Sequence, residues 1–149
     1  MKLVIALDNL PSLVGRELAV SDWVEVTQEM IDRFADVVAD HQWIHVDIDR
    51  ATRENGGTIA HGFLLLSLLA TLSDQKLEWR GFSRRMNYGF NRVRFTNVVR
   101  SGARVRLRDK LLSIENKATG WLVTRDCRLE IYGDTTPALV ADWLTMGIP

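Results

Sequence analysis

Gly62-Phe63-Leu64-Leu65-Leu66-Ser67-Leu68-Leu69-Ala70-Thr71-Leu72-Ser73 is apolar nearly all round when wound as a helix, with only Ser67, Thr71 and Ser73 relieving it. A helix of that kind has to be wrapped by the rest of the protein. It meets Asp74 far short of the ~20 apolar residues that span a bilayer, so it reads as a buried helix. The residues after it supply the wrapping. Met86, Tyr88 and Phe90, then Val93 and Phe95, alternate with Asn87, Asn91, Arg92 and Arg94, which is the period of a strand. The phase slips around residues 89 to 92, which predicts a β-bulge. Val105 and Leu107 alternate with Arg104, Arg106 and Arg108, and Val123, Cys127, Leu129 and Ile131 alternate with Thr124, Asp126, Arg128 and Glu130. Residues 138 to 146 form a last strand, and turn signals at 101–102, 117–120 and 133–137 separate these runs. Strands joined by short turns make an antiparallel sheet around the apolar helix, an α+β fold.

Upstream, residues 23–26 are strand-like, and Thr27 offers a helix N-cap with Glu29 in the first turn. Met30, Ile31, Phe34, Val37 and Val38 follow at helical spacing, predicting a first helix that ends near Ala39. Residues 40–49 show no sustained period and read as a loop. Residues 49–54 suit a short helix, stopped by Asn55-Gly56-Gly57.

At 149 residues, 46% hydrophobic and 26% charged, the chain reads as one domain, 1–149, able to bury a core. Nineteen basic side chains balance nineteen acidic ones, which argues against a wholly basic nucleic-acid binder. The balance conceals an asymmetry: residues 1–79 hold 6 basic and 13 acidic groups, whereas residues 80–108 hold nine Arg and no acid. An anionic partner is expected to meet that middle segment. A single cysteine, Cys127, excludes an intramolecular disulfide and reads as a small buried hydrophobe. The first residues lack a signal-peptide core, since Asp8 and Pro11 interrupt it, so a cytoplasmic location is expected.

All three histidines fall in two clusters: His41 and His45 beside Asp40 and Asp47, and His61 directly before Gly62. A metal site is one reading, but the four-residue His spacing suits a helix that residues 41–46 do not convincingly form. Acid–base chemistry is another. A carboxylate and an imidazole five residues apart in a loop can converge on one water, because an imidazole of pKa near ~6.5 accepts a proton at neutral pH. Gly62, at the first turn of the buried helix, presents an N–H without an intrahelical acceptor, and lacks a Cβ that would keep a carbonyl away. A cap residue and a satisfied surface loop account for the same residues on composition alone.

The stretch Phe34-Ala-Asp-Val-Val-Ala-Asp-His-Gln-Trp-Ile-His-Val-Asp, followed by Ile59-Ala-His-Gly-Phe, resembles the MaoC-like dehydratases, or (R)-specific enoyl-CoA hydratases. Their pattern is Asp-x-Asn-Pro-x-His-x-Asp, then a His-Gly opening the central helix. Asn87-Tyr88-Gly89-Phe90-Asn91-Arg92 is similar to the branch that includes NodN-like nodulation proteins. The resemblance implies a hot-dog fold, an antiparallel sheet curled around one helix, usually dimeric. It implies reversible hydration of a trans-2-enoyl thioester, carried by coenzyme A or an acyl carrier protein, to an (R)-3-hydroxyacyl thioester. Asp40 and His45 become the catalytic pair and the Gly62 N–H the thioester-oxygen donor, with no cofactor, no metal, and no nucleic-acid or membrane partner.

Gln42 and Trp43 replace the family's Asn-Pro, which bears on the acyl pocket more than on the reaction. His41 reads as an exposed bystander, and His61 as a histidine making a structural hydrogen bond at the helix start. Tyr88 and Asn91 either line the pocket or pack on the helix. Arg104, Arg106 and Arg108 are a solvated strand face or a site for coenzyme A phosphates, as guanidinium forks suit phosphate. RNA binding would need exposed aromatics among the Arg, whereas Tyr88, Phe90 and Phe95 alternate as core residues. A non-catalytic acyl-thioester-binding domain and a hot-dog thioesterase are the alternative functions.

Overall fold

Thr27 caps the first helix as its sequence suggests: in the computed structural model, which describes residues 1–149, its hydroxyl accepts from the Met30 N–H at 3.2 Å. Helix α1 (Gln28–Val38) buries Ile31 and Ala35 and stops at Ala39, which takes the left-handed conformation (φ 56°). Three short strands precede it, β1 (Leu3–Ala6), β2 (Glu17–Val20) and β3 (Val24–Glu25).

The expected loop at 40–49 is instead mostly helical. A single turn, α2 (Trp43–Val46), leads into α3 (Ile48–Asn55). Asp47 drives the second start, its carboxylate accepting from the Arg50 N–H at 2.9 Å. One turn is too short to display a period, and Asp47 proves to be a cap rather than a free ligand.

Helix α4 (Gly62–Asp74) buries Leu64, Leu65, Leu69 and Leu72 against the sheet. Its wrapping is one-sided, because the Phe63, Ser67 and Thr71 stripe at i, i+4, i+8 stays exposed. Then come β4 (Leu77–Arg80), β5 (Arg84–Phe95), β6 (Arg104–Lys117), β7 (Gly120–Ile131) and β8 (Leu139–Ile148). The main sheet runs β2-β6-β7-β8-β5 with β3 also on β6, all antiparallel, while β1 pairs with β4 in parallel. The anticipated bulge is present, as register shifts between Asn87 and Gly89 and between Phe90 and Arg92. Leu107, Leu129 and Leu139 lie in cross-strand register beneath α4 and are fully buried, as is Cys127. This is the antiparallel sheet around one central helix that defines the hot-dog architecture.

The alternation on β7 also carries Arg125 to the core face. It is fully buried and bonds Asp109 of β6 (2.6 Å) and Ser73 of α4 (2.8 Å).

Candidate active site

Asp40 leaves α1 directly after left-handed Ala39, and its N–H donates to the Ala35 carbonyl at 3.1 Å. The Gln42 amide donates to its Oδ1 at 3.1 Å. That side-chain bond is the main cause holding the half-exposed Asp40 carboxyl below its usual range, with the Gln42 backbone and the nearby His61 and His45 adding to it. Asp40 is therefore a carboxylate at neutral pH.

His45 sits in the single turn of α2, buried. Its Nδ1 donates to the Ile59 carbonyl at 2.6 Å, and the Ile59 N–H returns a bond to the Ile44 carbonyl at 3.0 Å. A carbonyl can only accept, so Nδ1 carries the proton and Nε2 is bare in the neutral ring. Gln28 at the start of α1 ties the same turn down, donating to the His45 carbonyl (2.8 Å) while accepting from the Thr58 hydroxyl (2.5 Å).

Ligand atoms of Asp40, His45 and His61 all lie within 4.8 Å of one another. A gap of that size between polar groups is what one bridging water spans. It does not suit a metal ion. The two imidazoles are stacked, centroids 3.7 Å apart and planes at 23°, and each would ligate only along its own plane. Such planes meet far beyond the ~2.0–2.1 Å of a zinc–imidazole bond. Gly62 follows His61 and opens α4, so its N–H has no acceptor within the helix. A Cβ there would meet the Phe95 ring at 3.0 Å, so any larger residue would require that ring to shift.

The other sequence candidates scatter. His41 points away and pairs with Asp36 (2.8 Å) on the surface. Trp43 is half-buried beneath the Arg50 guanidinium, 4.3 Å from its ring. Tyr88 is 64% exposed, and Phe95 and Phe90 are 47% and 37% exposed, which corrects their expected core placement. Asn91 is exposed beside them on edge strand β5. Arg106 and Arg108 both bind Glu130 at 2.6 Å, Arg108 also binds Glu17, and Arg104 lies 3.8 Å over the Tyr132 ring. Part of the positive excess of the middle segment is thus met by acids from distant strands. A cavity of about 360 Å³ includes Trp23, Arg106, Arg128, Glu130 and Tyr132, but neither Asp40 nor His45. Gln28, Thr58 and Ile59 were not legible as site residues, since nothing local links them to residue 45.

The sequence pattern of the MaoC like domain matches residues 9–127. Nodulation protein N of Rhizobium leguminosarum bv. viciae is 43% identical over 146 residues, 95% of this chain and 91% of the relative. The 3-hydroxyacyl-thioester dehydratase Z of Mycobacterium tuberculosis (strain ATCC 25618 / H37Rv) is 40% identical over 144 residues, 95% of each chain. Among solved structures, a monoamine oxidase regulatory protein from Archaeoglobus fulgius superposes with TM-score 0.78 at 18% identity, covering 100% of this chain and 99% of that one. An (R)-hydratase from A. caviae involved in PHA biosynthesis gives 0.74 at 22%, covering 91% and 96%. These two carry the hot-dog fold, and the sequence matches along nearly the whole chain carry the kinship: the protein belongs to the MaoC-like dehydratase family.

Proposed function

We propose that the protein is a hydro-lyase that reversibly adds water to a trans-2-enoyl thioester, giving the (R)-3-hydroxyacyl thioester. The observation that carries this reading is the convergence of an ionised Asp40 with His45 and His61, ligand atoms within 4.8 Å of one another, directly before the start of α4. In the hydration direction Asp40 orients the water and His45 Nε2 takes one of its protons as the oxygen bonds to Cβ. The electron pair of the double bond moves toward the thioester carbonyl, whose oxygen gains charge and is received by the Gly62 N–H, reinforced by the helix dipole. A proton then reaches Cα, and the thioester leaves intact. The relative named for 3-hydroxyacyl-thioester dehydration supports the same chemistry read in reverse.

The carrier in this reading is coenzyme A or an acyl carrier protein; Arg106 is engaged by Glu130, whereas Arg104 stacks on Tyr132 and keeps its guanidinium free of an acid partner. Residues 1–149 act as one domain, and two copies pair through the open side of α4 and β5. Phe63 and Phe95 are exposed there, with their rings in edge contact.

The test is incubation with short and long trans-2-enoyl-CoA, following loss of enoyl absorbance and product chirality. Asp40→Asn and His45→Gln should each lower kcat by ~10²- to 10⁴-fold with the fold intact, while the surface variant His41→Ala stays within about tenfold. Near wild-type turnover in Asp40→Asn or His45→Gln would reject the assignment, and thioester cleavage in place of hydration would make the protein a thioesterase.

A further inference from the structure

His61 has no step in the proposed reaction, yet it is 3% exposed and touches three parts of the site. Its Nε2 lies 3.0 Å from the Asp40 main-chain carbonyl, 21 residues upstream. Its ring stacks on His45, with Phe34 against it at 5.1 Å. Its backbone is the N-cap of α4, immediately before Gly62. A histidine retained only to start a helix would turn its ring to the free N–H groups of the first turn, and His61 makes no such bond. Because the Asp40 carbonyl can only accept, the His61 proton is on Nε2, which leaves Nδ1 bare, buried and without a partner. The ring therefore makes one hydrogen bond, and gives it to the backbone of the carboxylate residue.

We propose that His61 is a positioning residue: its bond to the Asp40 carbonyl and its stack on His45 hold the carboxylate and the imidazole in register with the start of α4. The proposal rests on the reading of Asp40 and His45 as the reacting pair. Asp40 is otherwise held by its N–H bond to Ala35 and by the Gln42 amide on its Oδ1. With the His61 donor removed, the Asp40 carbonyl loses its anchor to the start of α4, and the carboxylate shifts relative to His45. The stack covers one face of His45, which resists a ring turn that would exchange the bare Nε2 for Nδ1. Misplacing a reacting group by about 1 Å costs up to ~10²-fold in rate.

The experiment uses His61→Phe, which keeps a ring for the stack and removes the donor, and His61→Gln, which keeps an N–H and removes the ring. Each should lower kcat by ~10- to 100-fold with KM changed by less than about threefold, because the loss is of alignment rather than of substrate contacts. Long-range ¹H–¹⁵N spectra of histidine-labelled wild type should show His45 as the Nδ1–H tautomer and His61 as the Nε2–H tautomer, and His61→Gln should mix the His45 tautomers. The opposite tautomer for His61 in the wild type overturns the proposal without any variant having to fold. So does an active wild type whose folded His61→Phe and His61→Gln variants keep kcat within twofold and leave the His45 tautomer unchanged. If the wild type hydrates no enoyl thioester while the tautomers and their mixing are as stated, the reaction assigned above fails and the positioning role stands.

Discussion

Gln42 stands where the family pattern has asparagine, and its extra methylene lets the amide reach back to Asp40 Oδ1 at 3.1 Å. In the structure the same substitution also bears on the carboxylate. The contact lowers the Asp40 pKa, so the charged form is favoured in the folded protein. The associated stability is present above the pH at which an unfolded aspartate titrates and is lost as pH falls through the lower, folded value. Gln42→Ala removes the largest cause, so the Asp40 midpoint should rise toward the ordinary aspartate value. Carbon-13 carboxyl NMR measures it directly. A midpoint unmoved by the substitution would assign the lowering to the backbone N–H and the histidines instead.

At the scale of elements, α4 is fastened to the sheet by two different means. Leu64, Leu65, Leu69 and Leu72 bury against β6, β7 and β8, and near its C-terminal end Ser73 joins Arg125 and Asp109 in a polar knot with both charges fully buried. Burial pushes the Asp109 carboxyl up while the Arg125 charge pulls it down. Arg125 also lies 4.1 Å over the Trp143 ring. Removing one partner strands the other charge in the core, so Arg125→Met or Asp109→Leu alone should destabilise by ~3–5 kcal/mol. The double variant, which leaves no charge behind, should recover most of that loss. Urea unfolding of the three proteins reads it, and additive losses in the double variant would show that the pair is not a unit.

For the whole molecule, β5 is an edge strand paired only with β8, and at its end exposed Phe95 meets exposed Phe63 of α4. Exposed aromatics of that size on one face mark a surface to be covered. A second copy completing the proposed function should give a two-chain mass by light scattering at micromolar concentration. Phe63→Lys, on the exposed stripe of α4, should shift that mass toward one chain. A single-chain mass for the wild type would remove the dimer from the proposal and leave the Asp40 and His45 geometry as it is. No helix is long and apolar enough to cross a membrane.

The sequence by itself determined what repeats or stays local: the twelve-residue apolar run of α4, the period-two strands with their bulge, the Thr27 cap, and the order of Asp40, His45 and His61-Gly62. Periodicity shows which face a side chain takes, because backbone geometry sets the period at 3.6 or 2. It does not show which distant face lies opposite. Only the tertiary structure could decide that His61 stacks on His45 rather than capping α4, since the two rings are brought together by the Ile59 and Ala60 backbone bonds to Ile44 and Val99. The same holds for the nine-Arg segment, whose charge found Glu130, Glu17, Asp74 and Asp142 across other elements. It holds too for Tyr88, Phe90 and Phe95, whose alternation looked like a core stripe. They lie on a strand at the edge of the sheet, and that position, which no period along one chain can encode, leaves them exposed.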